Sequence, residues 1–382
     1  MADLQIISEK LPLHPTQWPG IPGWSQIVTP MSVCEWDRQL AAHPDQCYHT
    51  YIVEGLRQGF RIGYSYGSAK CVSAVSNMSS ASERPSVIDE FIATELAAGR
   101  ILGPVDPSQA NLIHVNRFGL VPKGHASGKW RLIVDLSFPA GNSVNDGIDS
   151  GLCSLQYTSV DFACRKVLEL GRGANLAKFD VSGAFRTVPV HPDDRHLLGM
   201  QWRGQTYVDK VLPFGLRSAP KLYNAIADGL LWILVNTDQV MCIHYLDDFL
   251  LFGAPDSCQC EKSLGKALAR CKGLGVPIAP AKTEGPATKL TFLGIELDTA
   301  SLTISLPREK LERLCAMIRD WETKKSCTKR ELLSLIGYLQ HACRVIKPGR
   351  SFLRRMIDLS AGVRALHHRV RLNAGFRSDL KW

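Results

Sequence analysis

Asp247 and Asp248 stand side by side between two apolar runs, VMCIHYL before them and FLLFG after. Apolar runs of that length are expected as buried strands, with the acids at or near a hairpin tip. Two carboxylates so close repel each other and resist removal from water. A solvent-exposed turn would relieve them, but hairpin turns favour Asn-Gly or Asp-Gly, and Leu-Asp-Asp-Phe fits that poorly. A hard divalent cation is the natural compensation for paired carboxylates. A metal pair needs a third acid, and Asp180 is the best candidate. It ends a second apolar stretch, NLAKFDV, and is followed by the chain break Ser182-Gly183. Its plainer reading is a helix N-cap. Together the three aspartates suit a two-metal site for in-line displacement at phosphorus.

The elements that must position them follow from periodicity and turn residues. Ser86 reads as the N-cap of a helix running to Ala98, with Asp89 in the capping-box position and Gly99 as the stop. FGLVP (118–122) and KWRLIVDL (129–136) read as a ribbon around the glycine-bearing tip GHASG. LLGMQW and QTYVDKVL pair around Arg203-Gly204, and a mostly apolar helix begins near Ser218. After the aspartates come a helix from Asp256 to Leu274 and then TFLGIEL and LTISL. Pro307 opens REKLERLCAMIRDW, and Thr328 with Glu331 forms a capping box for the next helix. Strands and helices mix without regular βαβ alternation, which predicts an α+β fold with helices on one face of a sheet.

At 382 residues with 45% hydrophobic and 21% charged residues, the chain can bury a sizeable core in two or three domains. No apolar run approaches a membrane span and MADLQ lacks the features of a secretory signal, so the expected location is cytoplasmic or nuclear, with no membrane partner. Twelve cysteines at irregular spacing read as reduced thiols, and the close pair Cys258 and Cys260 is too little for a zinc site. The net charge of +9 is concentrated at the C-terminal end, where residues 344–382 hold ten Lys or Arg against Asp358 and Asp379. That end is either a solvated helical surface or a contact for nucleic-acid phosphate.

The ordered blocks KWRLIVDL, FDVSGAF, LPFGLRSAP, YLDD and TFLG resemble the fingers and palm of reverse transcriptases over roughly residues 86–345, YLDD being their YxDD box. GRSFLRRMIDL and the final RSDLKW resemble the tyrosine-recombinase (DIRS and Ngaro) class of retrotransposon enzymes. The resemblance implies a right-hand polymerase: an N-terminal extension (1–85), fingers and palm with an antiparallel sheet (86–300), a helical thumb (301–345), and a basic segment (346–382) leading toward a ribonuclease H domain that this chain would lack.

The same resemblance assigns roles. Asp180, Asp247 and Asp248, with the carbonyl of Val181, would hold two Mg²⁺ or Mn²⁺ ions. Lys123 and Arg131 would hold the triphosphate of the incoming dNTP. Phe185 falls at the steric-gate position, whose other reading is core packing. Phe214 and Gly215 would contact the nucleotide, with Phe214 standing where retroviral enzymes commonly carry Gln. Lys282 lies where a general acid for pyrophosphate would stand, or is an exposed surface lysine. Tyr245, Leu293 and Gly294 would contact the primer. The implied reaction is template-directed DNA synthesis from a primer 3′-hydroxyl on an RNA or DNA template. The rivals are a polymerase with an RNA product, opposed by Phe185, and a catalytically silent retroelement-derived nucleic-acid-binding protein.

Overall fold

The computed structural model describes residues 21–65, 75–110, 113–122, 128 and 130–382. Its strands in chain order are β1 (Ile101–Val105), β2 (Val115–Pro122), β3 (Trp130–Asp135), β4 (Asn175–Asp180), β5 (Gly199–Trp202), β6 (Gln205–Asp209), β7 (Cys242–Tyr245), β8 (Asp248–Gly253), β9 (Glu284–Ala287), β10 (Lys289–Phe292), β11 (Ile295–Asp298), β12 (Thr303–Ser305), β13 (Ser326–Thr328) and β14 (Arg369–Arg371). They belong to two compact units, each discontinuous in sequence.

The first unit comprises residues 1–158, 178–251 and 261–283. One sheet has the order β1-β6-β5-β2-β3. The ribbon β2–β3 pairs Pro122 with Trp130, and most of the expected GHASG tip, with Lys123, lies outside the described residues. β5 and β6 join through Arg203 and Gly204, both left-handed (φ 49° and 76°), the geometry whose twist suits a two-residue hairpin. β7, β8 and β4 lie side by side in that order. Helix Ala219–Trp232 starts directly after Ser218 and buries Leu222, Tyr223, Ile226 and Leu230.

Two helix starts differ from the sequence reading. The helix expected from Ser86 spans Pro85–Ala97, with Pro85 setting its start. Proline's fixed φ suits the first helical position and its missing N–H has no partner to lose there. Asp89 is drawn off instead to the indole of Trp202 (2.8 Å) and to Arg203 (2.6 Å). The helix expected from Asp256 begins at Gln259, after Asp256 adopts a left-handed φ of 51°.

The second unit comprises residues 159–177, 252–260 and 284–382. β10, β11 and β12 form a meander, and TFLGIEL is a hairpin that turns at Leu293-Gly294. Helices Arg308–Thr323 and Lys329–Ala342 follow, the second with the expected Thr328–Glu331 capping box. Residues 346–382 share a core with them: Trp321, Leu332 and Leu335 pack with Leu353, Met356, Val370, Phe376 and Leu380. Apolar residues at helical spacing in Arg350–Ala361 and Ala374–Lys381 supply this face, while Arg350, Arg354, Arg355 and Lys381 are exposed.

Candidate active site

The paired aspartates sit where two strands turn. Tyr245 and Asp248 are cross-strand partners, so Leu246 and Asp247 form a two-residue turn. Leu246 takes φ 53°, a left-handed conformation that costs a branched residue about 1–2 kcal/mol and persists only where the surroundings impose it. Part of that imposition comes from His244. Its Nδ1 lies 3.1 Å from the Leu246 carbonyl and its Nε2 lies 2.9 Å from Oδ1 of Asp228, on helix Ala219–Trp232. Both contacts are to oxygen acceptors, one on the turn and one on the helix.

Asp180 ends the adjacent strand. The Val181 N–H donates to the Asp247 carbonyl at 3.0 Å, tying the two acid-bearing segments together by backbone. On the other side, Ser182 N–H donates to Pro277 and Ala279 N–H to the Asp180 carbonyl, a bridge that leaves the carbonyl of Val181 outside its hydrogen bonds. Beneath the carboxylates runs a column of rings. Phe179 stacks on Phe249 with centroids 4.8 Å apart, and Phe249 on His244 at 5.2 Å. Each phenylalanine is the immediate sequence neighbour of an aspartate, so ring packing fixes where both acids leave their strands.

The electrostatics follow from burial. Desolvation raises the Asp247 carboxyl above its ordinary value. Burial, the charges of Asp247 and Asp180, and a hydrogen bond to Asp180 together push Asp248 up to about 6. Lys282 donates to Oδ2 of Asp180 at 2.7 Å, and this bond raises its own pKa. Among the described residues, no group of three or more His, Cys, Asp or Glu side chains is arranged to hold a metal ion. The donor set still fits a hard divalent cation. Asp248 hydrogen-bonds Asp180, desolvation raises the carboxyls of Asp247 and Asp248, and the Lys282 ammonium that contacts Asp180 is 61% exposed on a flexible stem.

Phe185 lies in a single 3-10 turn, Ala184–Thr187, entered through left-handed Gly183. Its half-buried ring meets Phe214 at 5.5 Å and Tyr223 at 5.8 Å. The guanidinium of Arg131 lies 5.7 Å over the Phe214 ring. Gly215 has φ 105°, and a Cβ there would stand 2.2 Å from the Val134 carbonyl, so this glycine is required for the loop to press on β3. Asn145 holds the same loop, donating to the Gly215 carbonyl and accepting from Arg217 N–H. Tyr245 stacks on Tyr157 at 4.9 Å.

Leu293 and Gly294 belong to the second unit. They make the β10–β11 turn with φ 49° and 74°, and their carbonyls accept from His341 and Lys310, each at 3.3 Å. Sequence reading missed His244, Asp228, Asn145, Tyr157 and Tyr223. A histidine inside an otherwise apolar strand was the available signal for the first. The others are distant in sequence from what they touch and carry none.

The family described as reverse transcriptase (RNA-dependent DNA polymerase) matches residues 121–297. Among curated proteins, the chain is 25% identical to polyprotein P3 of Commelina yellow mottle virus over 46% of its length and 9% of that protein. It is 25% identical to the Gag-Pro-Pol polyprotein of Simian retrovirus SRV-2 over 61% of its length and 13% of the relative. It is 29% identical to the enzymatic polyprotein of Cestrum yellow leaf curling virus over 39% of its length and 23% of the relative. The chain thus spans a small part of each of these relatives. Among solved structures, foamy viral protease-reverse transcriptase in complex with RNA/DNA hybrid has a TM-score of 0.61 at 16% identity, over 92% of this chain and 45% of that one. The foamy viral protease-reverse transcriptase dRH in complex with double-stranded DNA scores 0.60 at 17% identity, over 93% and 59%. The fold is therefore that of a reverse transcriptase, α+β with mixed helices and sheets, as the sequence predicts.

Proposed function

From the reverse transcriptase domain at residues 121–297, we propose that the chain is an RNA-directed DNA polymerase extending a primer 3′-hydroxyl with deoxynucleotides. The observation that carries this reading is the backbone tie between Val181 and Asp247, which sets Asp180 beside the Asp247-Asp248 turn in a desolvated, cation-seeking cluster.

Asp180, Asp247, Asp248 and the Val181 carbonyl would hold two Mg²⁺ or Mn²⁺ ions. Bound there, the ions supply Lewis-acid stabilisation of charge on the attacking and leaving oxygens. The chain's own residues do the rest. Asp248, short of compensating charge, draws cations to the site. Lys282, already within 2.7 Å of Asp180, has the reach of an ammonium that can meet the leaving pyrophosphate. Arg131 offers a planar fork to the triphosphate, with Lys123 its proposed partner. Phe185, backed by Phe214 and Tyr223, presents a ring edge where a ribose 2′-hydroxyl would find no hydrogen-bond partner. Tyr245, Leu293 and Gly294 are proposed to contact the primer.

The template-primer duplex is the proposed macromolecular partner, supported by the double-stranded DNA and RNA/DNA hybrid of the foamy viral complexes and by the exposed cations of residues 344–382. The tyrosine-recombinase class of retrotransposon, with a ribonuclease H domain as companion, is supported by GRSFLRRMIDL and RSDLKW. Primer extension on RNA and on DNA templates with Mg²⁺ or Mn²⁺ tests the function. Extension of both is expected; tight duplex binding with no extension under either ion leaves a silent nucleic-acid-binding protein instead.

A further inference from the structure

The residue after Phe185 is a buried arginine. Arg186 donates to Oε2 of Glu95 from Nε at 3.0 Å and from Nη2 at 2.6 Å, and the same Nη2 lies 2.6 Å from Oδ1 of Asp209. Glu95 is gripped a second time by Arg100, through Nε at 2.8 Å and Nη2 at 2.6 Å. Two guanidiniums and two carboxylates thus balance in charge where helix Pro85–Ala97, β1, β6 and the Ala184–Thr187 turn converge. None of the four touches the aspartate cluster, and the chemistry proposed above uses none of them.

Their placement bears on Phe185 through the backbone. A single 3-10 turn has no slack: Arg186 N–H bonds to Gly183, Val188 N–H bonds to Phe185, and the Thr187 hydroxyl bonds to Ala184. Anchoring Arg186 inward fixes the direction in which Phe185 leaves the chain. The Phe185 ring has aromatic neighbours at Phe214 and Tyr223 and remains partly exposed, so the side-chain cage around it is open. Its position depends on the turn more than a core ring's would.

We propose that the Glu95–Arg186–Asp209 bridge, tightened by Arg100, is a positioning device that sets sugar discrimination by holding Phe185 in place. This inference rests on the reading of Phe185 as a gate. Buried ion bridges also fix geometry simply as parts of a fold, and discrimination separates the two roles. A purely structural bridge would, when weakened in a folded protein, change stability and leave the ratio of ribonucleotide to deoxynucleotide kcat/KM alone.

The experiment measures that ratio, with thermal melting as the check on folding, for wild type, Glu95→Gln, Arg100→Gln and Phe185→Val. Glu95→Gln is expected to raise the ratio about three- to tenfold, less than full removal of the ring, since one apolar contact is worth tenfold or more in discrimination. Arg100→Gln, at the half-buried rim, is expected to raise it less. If Phe185→Val raises the ratio and folded Glu95→Gln matches wild type, the bridge is structural only and the proposal fails while the gate stands. If Phe185→Val itself changes nothing, the gate and the bridge fall together. Should Glu95→Gln not fold, Arg100→Gln decides, and a wild-type ratio there overturns the proposal.

Discussion

The Lys282 ammonium lies 2.7 Å from Oδ2 of Asp180 and leans on a carboxylate proposed as a metal ligand. Lysine and a divalent ion would therefore compete for the same oxygen. Lys282→Met is expected to lower the Mg²⁺ concentration needed for half-maximal extension, because a competitor is gone. It should also cut kcat about a hundredfold, the scale of general-acid assistance. A Mg²⁺ titration at saturating dNTP reads both; unchanged kcat and midpoint make Lys282 an ordinary surface lysine.

Asp247→Asn and Asp248→Asn are each expected to reduce extension about a thousandfold or more, since a lost ligand removes several kcal/mol of charge stabilisation at the reacting phosphate. Template-primer affinity should hold within a few-fold. Wild-type extension rates in either variant would sink the metal-site assignment.

The same substitution makes a stability prediction of opposite sense. Asp248 has a folded-state pKa of about 6 against 3.8 for the ordinary carboxyl, so folding favours its protonated form. Its relative contribution is fully present below 3.8 and is lost as pH rises through about 6. In metal-free buffer, Asp248→Asn should then melt above wild type at pH 7, with the gap closing as pH falls from 6 toward 3.8. Melting curves across that range check it, and a gap that widens on acidification contradicts the assignment.

Phe185→Val is expected to raise ribonucleotide use relative to deoxynucleotide use while DNA synthesis falls only moderately. The effect should be tenfold or more in the kcat/KM ratio, the scale of a single apolar contact. A wild type that already accepts both sugars equally turns Phe185 into core packing.

The basic C-terminal residues call for point substitutions rather than truncation, because Leu353, Met356, Val370, Phe376 and Leu380 complete a core with Trp321 and Leu332. On β14, Arg369 and Arg371 are exposed and flank buried Val370, so they share the outer face. If both meet phosphate, replacing both with Gln should flatten the slope of log affinity against log salt by about 2. An identical slope assigns them to solvent.

What the sequence makes legible here is whatever local chemistry alone decides. The Thr328–Glu331 box, the Arg203-Gly204 turn and the strand ending at Asp180 depend on residues within a few positions of one another. The turns at Leu246 and Leu293 were not legible as left-handed, because leucine gives no sign of it and tertiary contacts impose it. His244 and Asp228 are 16 residues apart on different elements, and Glu95 and Arg186 are 91 apart. Such pairs are products of packing, and no window along the chain contains them. Ser86 failed for the reverse reason: a proline one place earlier had the stronger local preference.

The core that joins Trp321 to Leu380 also sets an order of events at the ribosome. Synthesis is directional and domains fold as units, so the first unit has all its segments once residue 283 has emerged. Helices Arg308–Thr323 and Lys329–Ala342 must wait with apolar faces uncovered until some forty further residues have been made. Uncovered apolar helix faces invite aggregation during that interval, and slower elongation or a chaperone over residues 308–342 should raise the soluble yield.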